Sequence, residues 1–581
     1  MPAFDRLVLW EASDESGHKI EVIPDLASKL RPHQREGVQF LFECTMGLRG
    51  FEGQGCILAD DMGLGKTLMS ITLLWTLLNQ GFTATASAVR KAVVVCPTSL
   101  VGNWENELRK WVGPHCPTFA VKSEPKKCIR NFIQHRGKGI LIVSYETQRR
   151  YTKMFTAGGA THLGQPSTCD LLICDEAHKL KNANSGLAVS LNTLPAKKRI
   201  LLSGTPMQNE LSEFFNMVNF CNPGVLGTNS EFRRRYERPI LQSRERGASE
   251  REVAQANTLQ KELSTIVNEF ILKRGNILNA RHLPPKLVQY VCCELTPLQD
   301  AMYDKLLSSK ECRHILDGRN SNALNTIRYM INICSHPDMI YKGGGAVTGA
   351  PPGSGGLEPE PSRAERCSAR GVNRFPIHKS ASSRPKFRPE LSGKFFVLYR
   401  LMETLRAMRQ GDRIVIVSNF TSTLDLVEAM CADNGWPQLR LDGTTLSAKR
   451  TKLVDAFNDP TSGAFAFLLS SKAGGCGINL IGGNRLVLFD PDWNPASDKQ
   501  AAARIWREGQ TKRCFIYRFM STSSIEEKII QRQLSKEGLT SIVDNKEQVN
   551  SFSSRELKAL FRRPRGTRSD THDTLRCSRC R

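Results

Sequence analysis

The sequence predicts an α/β protein with two parallel-sheet lobes and helical insertions between and within them. Three observations carry this reading: short apolar runs alternate with longer amphipathic stretches, the alternation stops and later resumes, and the intervening chain differs in composition. The first series is GCIL at 55–58, AVVVC at 92–96, ILIV at 140–143, LLIC at 171–174 and RILL at 199–202. Stretches such as Thr67–Leu78 and Asn103–Trp111 separate these runs and read as helices. Short, continuously apolar runs are how parallel strands read, because crossover helices cover both faces of their sheet. The rhythm returns with RIVIV at 413–417, LRL at 439–441, FAFLL at 465–469, LVLF at 486–489 and FIYRF at 515–519.

Between the two series, residues 211–290 are charged and helix-like and carry the basic cluster Arg233, Arg234 and Arg235. A Gly/Pro/Ser/Arg-rich stretch at 343–389 opens with GGGAVTGAPPGSGG. Such a composition buries too little apolar surface to offset its ordering entropy and reads as a mobile insertion. The expected organisation is a flank at 1–27, a first lobe at 28–210 and a helical insertion at 211–290. A linker with a second helical insertion follows at 291–388, then a second lobe at 389–545 and a basic extension at 546–581.

Composition narrows the function classes. Lysine and arginine number 81 against 57 acidic residues, a formal charge of +24. An excess of this size favours a polyanionic partner, because neutralised phosphates release condensed counterions. No apolar run approaches the ~20 residues needed to cross a bilayer, so no membrane partner is expected. MPAFDRLVLWEASDES lacks the pattern of a signal peptide. The eighteen cysteines are scattered, and Cys96 and Cys174 sit inside apolar runs. Such cysteines are buried hydrophobes more often than bridge partners. A soluble protein of a reducing, intracellular compartment is expected.

Three motifs carry chemistry. The first is ADDMGLGKTLMSI at 59–71, which follows a strand and opens a helix. Gly63 and Gly65 allow a tight turn whose N–H groups point at phosphates, and the helix N-terminus adds its positive end. Lys66 is placed for the β and γ phosphates and the Thr67 hydroxyl for Mg²⁺. Asp60 stands where the strict pattern has its first glycine. The second motif is LLICDEAHKLKN at 171–182. Asp175 at a strand end would hold Mg²⁺, and Glu176 would orient and deprotonate a water. The third is DKQAAARIWREGQ at 498–510, where a helix would present Arg504 and Arg507 on one face. Guanidinium groups aimed at a γ-phosphate offset transition-state charge.

In this order the motifs resemble those of the superfamily-two helicase-like motors, specifically the Swi/Snf-type translocases. LRPHQREG at 30–37, DDMGLGKT, PTSLVGNWENE at 97–107, SYE at 144–146, DEAH and SGTPMQN at 203–209 carry the likeness in the first lobe. VSNFTSTLD at 417–425, SSKAGGCGINL at 470–480 and the arginine motif carry it in the second. LRPHQREGVQFL, PTSLVGNW, FDPDWNPASDKQAAARIWREGQ, SIEEKIIQRQ and SDTHDTLRC look like the Rad-fifty-four-like recombinational-repair branch. The resemblance implies two RecA-like lobes, ATP with Mg²⁺, and a nuclear protein that moves on double-stranded DNA beside a RecA-type eukaryotic recombinase. Chromatin is a further implied partner. Gln34 would read the adenine, and Gln208 would join the nucleotide site. Asp61 stands where that branch has glutamate, and Ala177 where it commonly has glycine. The first motif begins at Leu30, so little of the branch's basic recombinase-binding arm is expected.

The same family grips duplex DNA by phosphate and sugar, and hydroxyls or amides at strand-to-helix turns suit such contacts. Thr98, Ser99 and Asn103 are the candidates in the first lobe, with Ser418, Asn419, Ser470, Ser471 and Lys472 in the second. Each alone reads first as a helix cap, because Ser, Thr and Asn are the usual N-cap residues, and only as a group do they point to DNA. His572, Cys577 and Cys580 have zinc-like spacing but supply three ligands where a structural site needs four. His178 and His336 are expected to be structural or coupling residues. The expected activity is duplex-dependent ATP hydrolysis with translocation, remodelling protein–DNA or recombination intermediates. A nucleosome remodeller and a strand-separating helicase are the alternatives, and a catalytically dead DNA-binding scaffold is opposed by the intact lysine, acids and arginines.

Overall fold

A computed structural model describes residues 6–13, 17–114, 116–157, 168–180, 182–183, 185–204, 211–243, 249–275, 283–317, 323–341, 387–408, 410–474, 478–538, 560–564 and 567–575. The chain divides between His282 and Leu283 into two compact units.

The first unit is built on a seven-stranded, wholly parallel sheet. An antiparallel hairpin of β1 (Leu7–Glu11) and β2 (Lys19–Val22) precedes it. The sheet strands are β3 (Gly55–Leu58), β4 (Lys91–Cys96), β5 (Thr118–Ala120), β6 (Gly139–Ser144), β7 (Leu171–Asp175), β8 (Lys198–Leu202) and β9 (Ile271–Leu272), ordered β5-β6-β4-β7-β8-β3-β9. β3, β4 and β6 are buried along their whole length, as the unbroken apolar runs require. The helix Lys66–Asn79 is buried around nearly its whole circumference, including Thr72 and Thr76. Thr76 tolerates this because its hydroxyl donates to the Thr72 carbonyl at 2.9 Å.

The helical segment at 211–290 does not stand apart: its described residues up to 275 belong to the first unit, and from Leu283 it enters the second. Its helices Leu211–Cys221 and Glu250–Asn268 place Phe214, Val218 and Leu263 in the core of the first unit. β9 then pairs with β3, with Ile57 and Ala59 donating to the carbonyls of Phe270 and Leu272. A two-residue strand leaves no periodicity to read, which is why sequence pattern alone separates this segment from the lobe.

The second unit carries a six-stranded parallel sheet ordered β10-β15-β14-β11-β13-β12. Its strands are β10 (Lys286–Cys293), β11 (Ile414–Ser418), β12 (Gln438–Leu441), β13 (Ala466–Ser470), β14 (Arg485–Leu488) and β15 (Cys514–Ser521). β10 is an exposed edge strand, so its mixed polar sequence gives no core signal. The helices Pro297–Leu307 and Ala323–Ser335 form a separate apolar cluster with Ile525, Ile529 and Phe561. Phe561 belongs to the C-terminal extension, which Arg563 also fastens by ion pairs to Asp300 and Asp304. The low-complexity stretch lies almost wholly outside the described residues.

Candidate active site

Parallel strands share one carboxyl edge, which is where ligands bind such sheets. In the first unit that edge gathers the loop after β3, Thr98 and Ser99 after β4, Tyr145 and Glu146 after β6, and Asp175 with Glu176 at the end of β7. Residues far apart in sequence meet there because each closes a strand.

The loop after β3 turns through Gly63 and Gly65, both at φ 86°, a conformation that suits glycine. Gly65 leads into the helix Lys66–Asn79, whose first N–H groups have no partner within the helix. The Lys66 ammonium donates to the Asp60 and Asp61 carbonyls at 2.5 and 3.2 Å. Burial holds its pKa below the usual lysine value, while the carboxylates of Asp60, Glu176, Asp175 and Asp61 oppose that shift. Phosphate oxygens would replace neutral carbonyls with charged acceptors and relieve the burial cost. Thr67 is the second residue of that helix and half-buried.

The Asp175 carboxylate receives the Trp104 indole N–H and the Glu176 N–H, each at 2.9 Å. The Tyr145 hydroxyl donates to the Asp175 carbonyl at 2.8 Å, fixing the strand end from the other side. Desolvation and then the adjacent Glu176 push the Asp175 carboxyl up to about 6. A divalent cation would reverse that pressure. Asp175 keeps lone pairs beyond its two hydrogen bonds, and together with the Thr67 hydroxyl it would give an all-oxygen donor set of the kind Mg²⁺ prefers, completed by phosphate and water. The residues fit the ion. Glu176 sits at φ 53°, a left-handed conformation costly for a non-glycine residue and characteristic of functional positions. His178 Nδ1 lies 3.3 Å from the Glu176 carboxylate, which makes it a partner of the acid.

Gln34, near the start of the helix Pro32–Thr45, is 3% exposed and lies against the phosphate loop. Its Oε1 accepts the Arg31 N–H at 3.0 Å and its Nε2 donates to the Leu64 carbonyl at 3.3 Å. A Cβ on Gly65 would stand 2.2 Å from that Nε2. Gln208 lies outside the described residues.

Sequence reasoning missed three residues here. Trp104 and Tyr145 hold Asp175, and the only signal for them was their place inside PTSLVGNW and SYE. The third is Arg274, just beyond β9. Asp60, the residue that breaks the strict glycine pattern, is fully buried, and Arg274 pairs with its carboxylate at 2.5 Å. A glycine at position 60 would leave that guanidinium without its main partner.

The DNA candidates separate by burial. Thr98, just before the helix Val101–Val112, and Asn103, in its first turn, are exposed, and the helix carries no side-chain cap, so neither is spent on capping. The Ser99 hydroxyl is shielded without a hydrogen-bond partner. In the second unit Ser418 is 1% exposed and donates to the buried Asp490, and Ser470 is 4% exposed. Asn419 accepts the Ser471 hydroxyl at 2.6 Å, joining the ends of β11 and β13, and Lys472 is exposed. Ser471 and Lys472 line a cleft of about 100 Å³ with Asp492, Ser497 and Gln500.

The arginine motif departs from the expected helix. That helix is Pro495–Ala502 and ends before both arginines, which lie in a chain of turns. Ile505 and Trp506 are drawn into the core, and the Trp506 N–H donates to the Pro284 carbonyl at 2.8 Å. Gln510 donates to the carbonyls of Gly483 and Ile505, so tertiary packing fixes the path in place of helical hydrogen bonds. Arg504 is 4% exposed, and Arg507 reaches the Ile478 carbonyl at 3.4 Å.

His336 is buried between Phe387 and Phe395 and serves packing. His572 is described, whereas Cys577 and Cys580 are not. Among the described residues no group of three or more His, Cys, Asp or Glu could hold a metal, and no helix is long and apolar enough to cross a membrane.

Comparison with known proteins gives the class. The SNF2-related domain family matches residues 33–339, and the helicase conserved C-terminal domain family matches 393–509. Protein CHROMATIN REMODELING 25 of Arabidopsis thaliana is 48% identical over all of this chain and 64% of its own length. The rice DNA repair and recombination protein RAD54 is 48% identical over all of this chain and 59% of its own. The human DNA repair and recombination protein RAD54-like is 42% identical over 99% of this chain and 76% of its own. This chain belongs to the SNF2-related family, within its RAD54-like members. It spans about three fifths of the length of the two plant relatives.

Proposed function

We propose that this chain is a DNA-dependent ATPase that translocates on double-stranded DNA and remodels protein–DNA or recombination intermediates in homologous-recombination repair, in the nucleus. The observation that carries the reading is the meeting of Lys66, Asp175 and Glu176 at one sheet edge, beside a loop whose backbone suits phosphates. The names of the relatives support the repair context, and the charge of +24 supports a polyanionic track.

In this reading Gly63, Gly65 and the helix N-terminus cradle the phosphates and Lys66 compensates their charge. Thr67 and Asp175 hold Mg²⁺, which when bound neutralises charge on the phosphates. Glu176 orients the attacking water and takes its proton, Gln34 reads the base, and Gln208 joins the site. Arg504 and Arg507 offset charge at the γ-phosphate in the ATP-bound form. Thr98, Ser99, Asn103, Asn419, Ser471 and Lys472 contact the DNA backbone, with Ser418 and Ser470 supporting them from within. Partners are duplex DNA, a RecA-type recombinase and chromatin; the name of the Arabidopsis relative favours nucleosome remodelling as a second reading.

The test is the ATPase rate with no nucleic acid, single strand, blunt duplex and RNA, across salt. Duplex should stimulate most, with a steep loss as salt rises. Lys66→Ala should abolish stimulated turnover while DNA binding persists. Turnover preserved in that variant would sink the phosphate-loop assignment; equal stimulation by single strand and duplex would sink the duplex track.

A further inference from the structure

We infer that Arg274 is a positioning residue for the nucleotide, tying the base-reading segment to the phosphate loop. The inference rests on the ATP reading and deepens it. Arg274 belongs to no motif that the proposed chemistry uses, yet its side chain is only 13% exposed and every nitrogen of its guanidinium is engaged by the two halves of the site.

On one side Nε and Nη2 embrace the Asp60 carboxylate, at 3.1 and 2.5 Å. Asp60 opens the phosphate loop, and its carbonyl receives the Lys66 ammonium. On the other side Nη1 donates to the carbonyl of His33, the residue before Gln34. Glu36, one turn along the same helix, lies 3.7 Å away. The backbone takes part as well, because the Asp61 N–H donates to the Arg274 carbonyl at 2.9 Å. A fork with five fixed donors can hold two chain segments at a set separation, which a flexible lysine cannot.

Close packing fixes the approach. A Cβ on Gly37 would stand 2.9 Å from Arg274 Nη2 and 2.3 Å from Met69 Sδ, so glycine there lets the helix sit against the guanidinium. Gln34 and His33 also touch the loop directly at the Leu64 carbonyl, and Arg274 braces that approach through Asp60 and the His33 carbonyl. Since one end of a bound nucleotide would meet Gln34 and the other Lys66, the distance from Gln34 to the loop governs whether base and phosphates are engaged together. A group that touches only the base contributes uniform binding, so its misplacement raises KM and lowers selectivity more than it lowers kcat.

The experiment measures kcat and KM for ATP and for GTP with blunt duplex on the full chain. Its variants are Arg274→Met, Arg274→Lys, Asp60→Asn with Arg274→Met, Gln34→Ala, and Gln34→Ala with Arg274→Met. Arg274→Met should raise KM for ATP about tenfold with a much smaller fall in kcat, and should shrink the preference for ATP over GTP. Arg274→Lys should not restore the preference. In the Gln34→Ala background the same change should remove no further preference, because both act through one group. Arg274→Met alone leaves a buried carboxylate unpaired and lowers the melting temperature, whereas the double neutral variant removes both charges. The melting temperature should recover in that double variant while the lost preference does not. Preference that recovers together with stability, or that never changes, overturns the inference. A wild-type chain that hydrolyses neither nucleotide brings down the ATP reading and this inference with it; an active wild type with unchanged variants sinks the inference alone.

Discussion

Each unit gathers charged side chains at the carboxyl edge of its sheet, and the two gatherings are completed in different ways. In the second unit Lys394 is fully buried and donates to Glu526 at 2.6 Å, to the Phe489 carbonyl at 3.1 Å and to Asp490 at 3.4 Å. Asp490 also receives the hydroxyls of Ser335 and Ser418, and Glu526 receives the Ser521 N–H. Burial alone would lower the lysine pKa, but Glu526 and Asp490 outweigh it and hold the ammonium well above its ordinary value. In the first unit burial wins at the lysine and holds the Lys66 ammonium below its ordinary value, while burial pushes the carboxyls of Asp175 there and of Glu526 in the second cluster both above theirs. The second cluster is closed by protein groups; on the ATP reading the first is closed when a ligand supplies charge. A buried lysine that its own chain compensates is architecture, and one left under the pressure of burial marks a candidate site.

The sharpest way to break this contrast is one substitution made twice. Lys394→Met leaves two buried carboxylates without their cation and should cost roughly 3–5 kcal/mol, read as a lower melting temperature. Lys66→Met removes an ammonium held against burial, so the ligand-free protein should change by less than about 1 kcal/mol or gain stability. Equal losses in the two variants would show that both clusters are structural.

A second prediction concerns pH. Asp175 titrates near 6 in the folded chain, against about 3.9 for an ordinary aspartate. The folded form therefore binds this proton more tightly than the unfolded form. Its contribution to stability is full below pH ~4 and is lost as pH rises through about 6. Asp175→Asn should stabilise the ligand-free protein at pH 7.5 by about 1–2 kcal/mol, with partial exposure trimming the gain. The variant should also lose the part of the pH slope between ~4 and 6, and ATP hydrolysis with it. Thermal unfolding at several pH values reads both. A destabilised Asp175→Asn at pH 7.5 would mean that the Trp104 hydrogen bond outweighs desolvation.

How much of this was legible in the sequence depended on how each feature is held. Apolar strands announced themselves: each of the ten apolar runs is a strand, within a residue or two at its ends, even the half-buried edge strand β12. β9 and β10 did not, one being two residues long and the other an exposed edge. Lys66, Asp175 and Glu176 were legible because phosphate chemistry demands those groups at those spacings. Arg274 was not, because its partner Asp60 is 214 residues away in the chain and only folding pairs them. The arginine motif was read as helical from local spacing, whereas Trp506 and Gln510 impose turns through contacts that spacing cannot show.

The smallest predicted effect separates surface from support among the DNA candidates. Lys472 is exposed and lines its cleft, while Ser418 is buried with its hydroxyl committed to Asp490. If Lys472 neutralises a phosphate, Lys472→Ala should lessen the slope of log affinity against log salt by about 1 and change stability by less than about 0.5 kcal/mol. Ser418→Ala should leave the slope untouched and lower stability by roughly 1–3 kcal/mol, because a buried carboxylate loses a donor. Duplex binding over a range of salt, beside thermal melts of the same samples, distinguishes the two. A slope that falls for Ser418→Ala would mean that the serine turns outward on DNA, and the closed cluster of the second unit would then open during work.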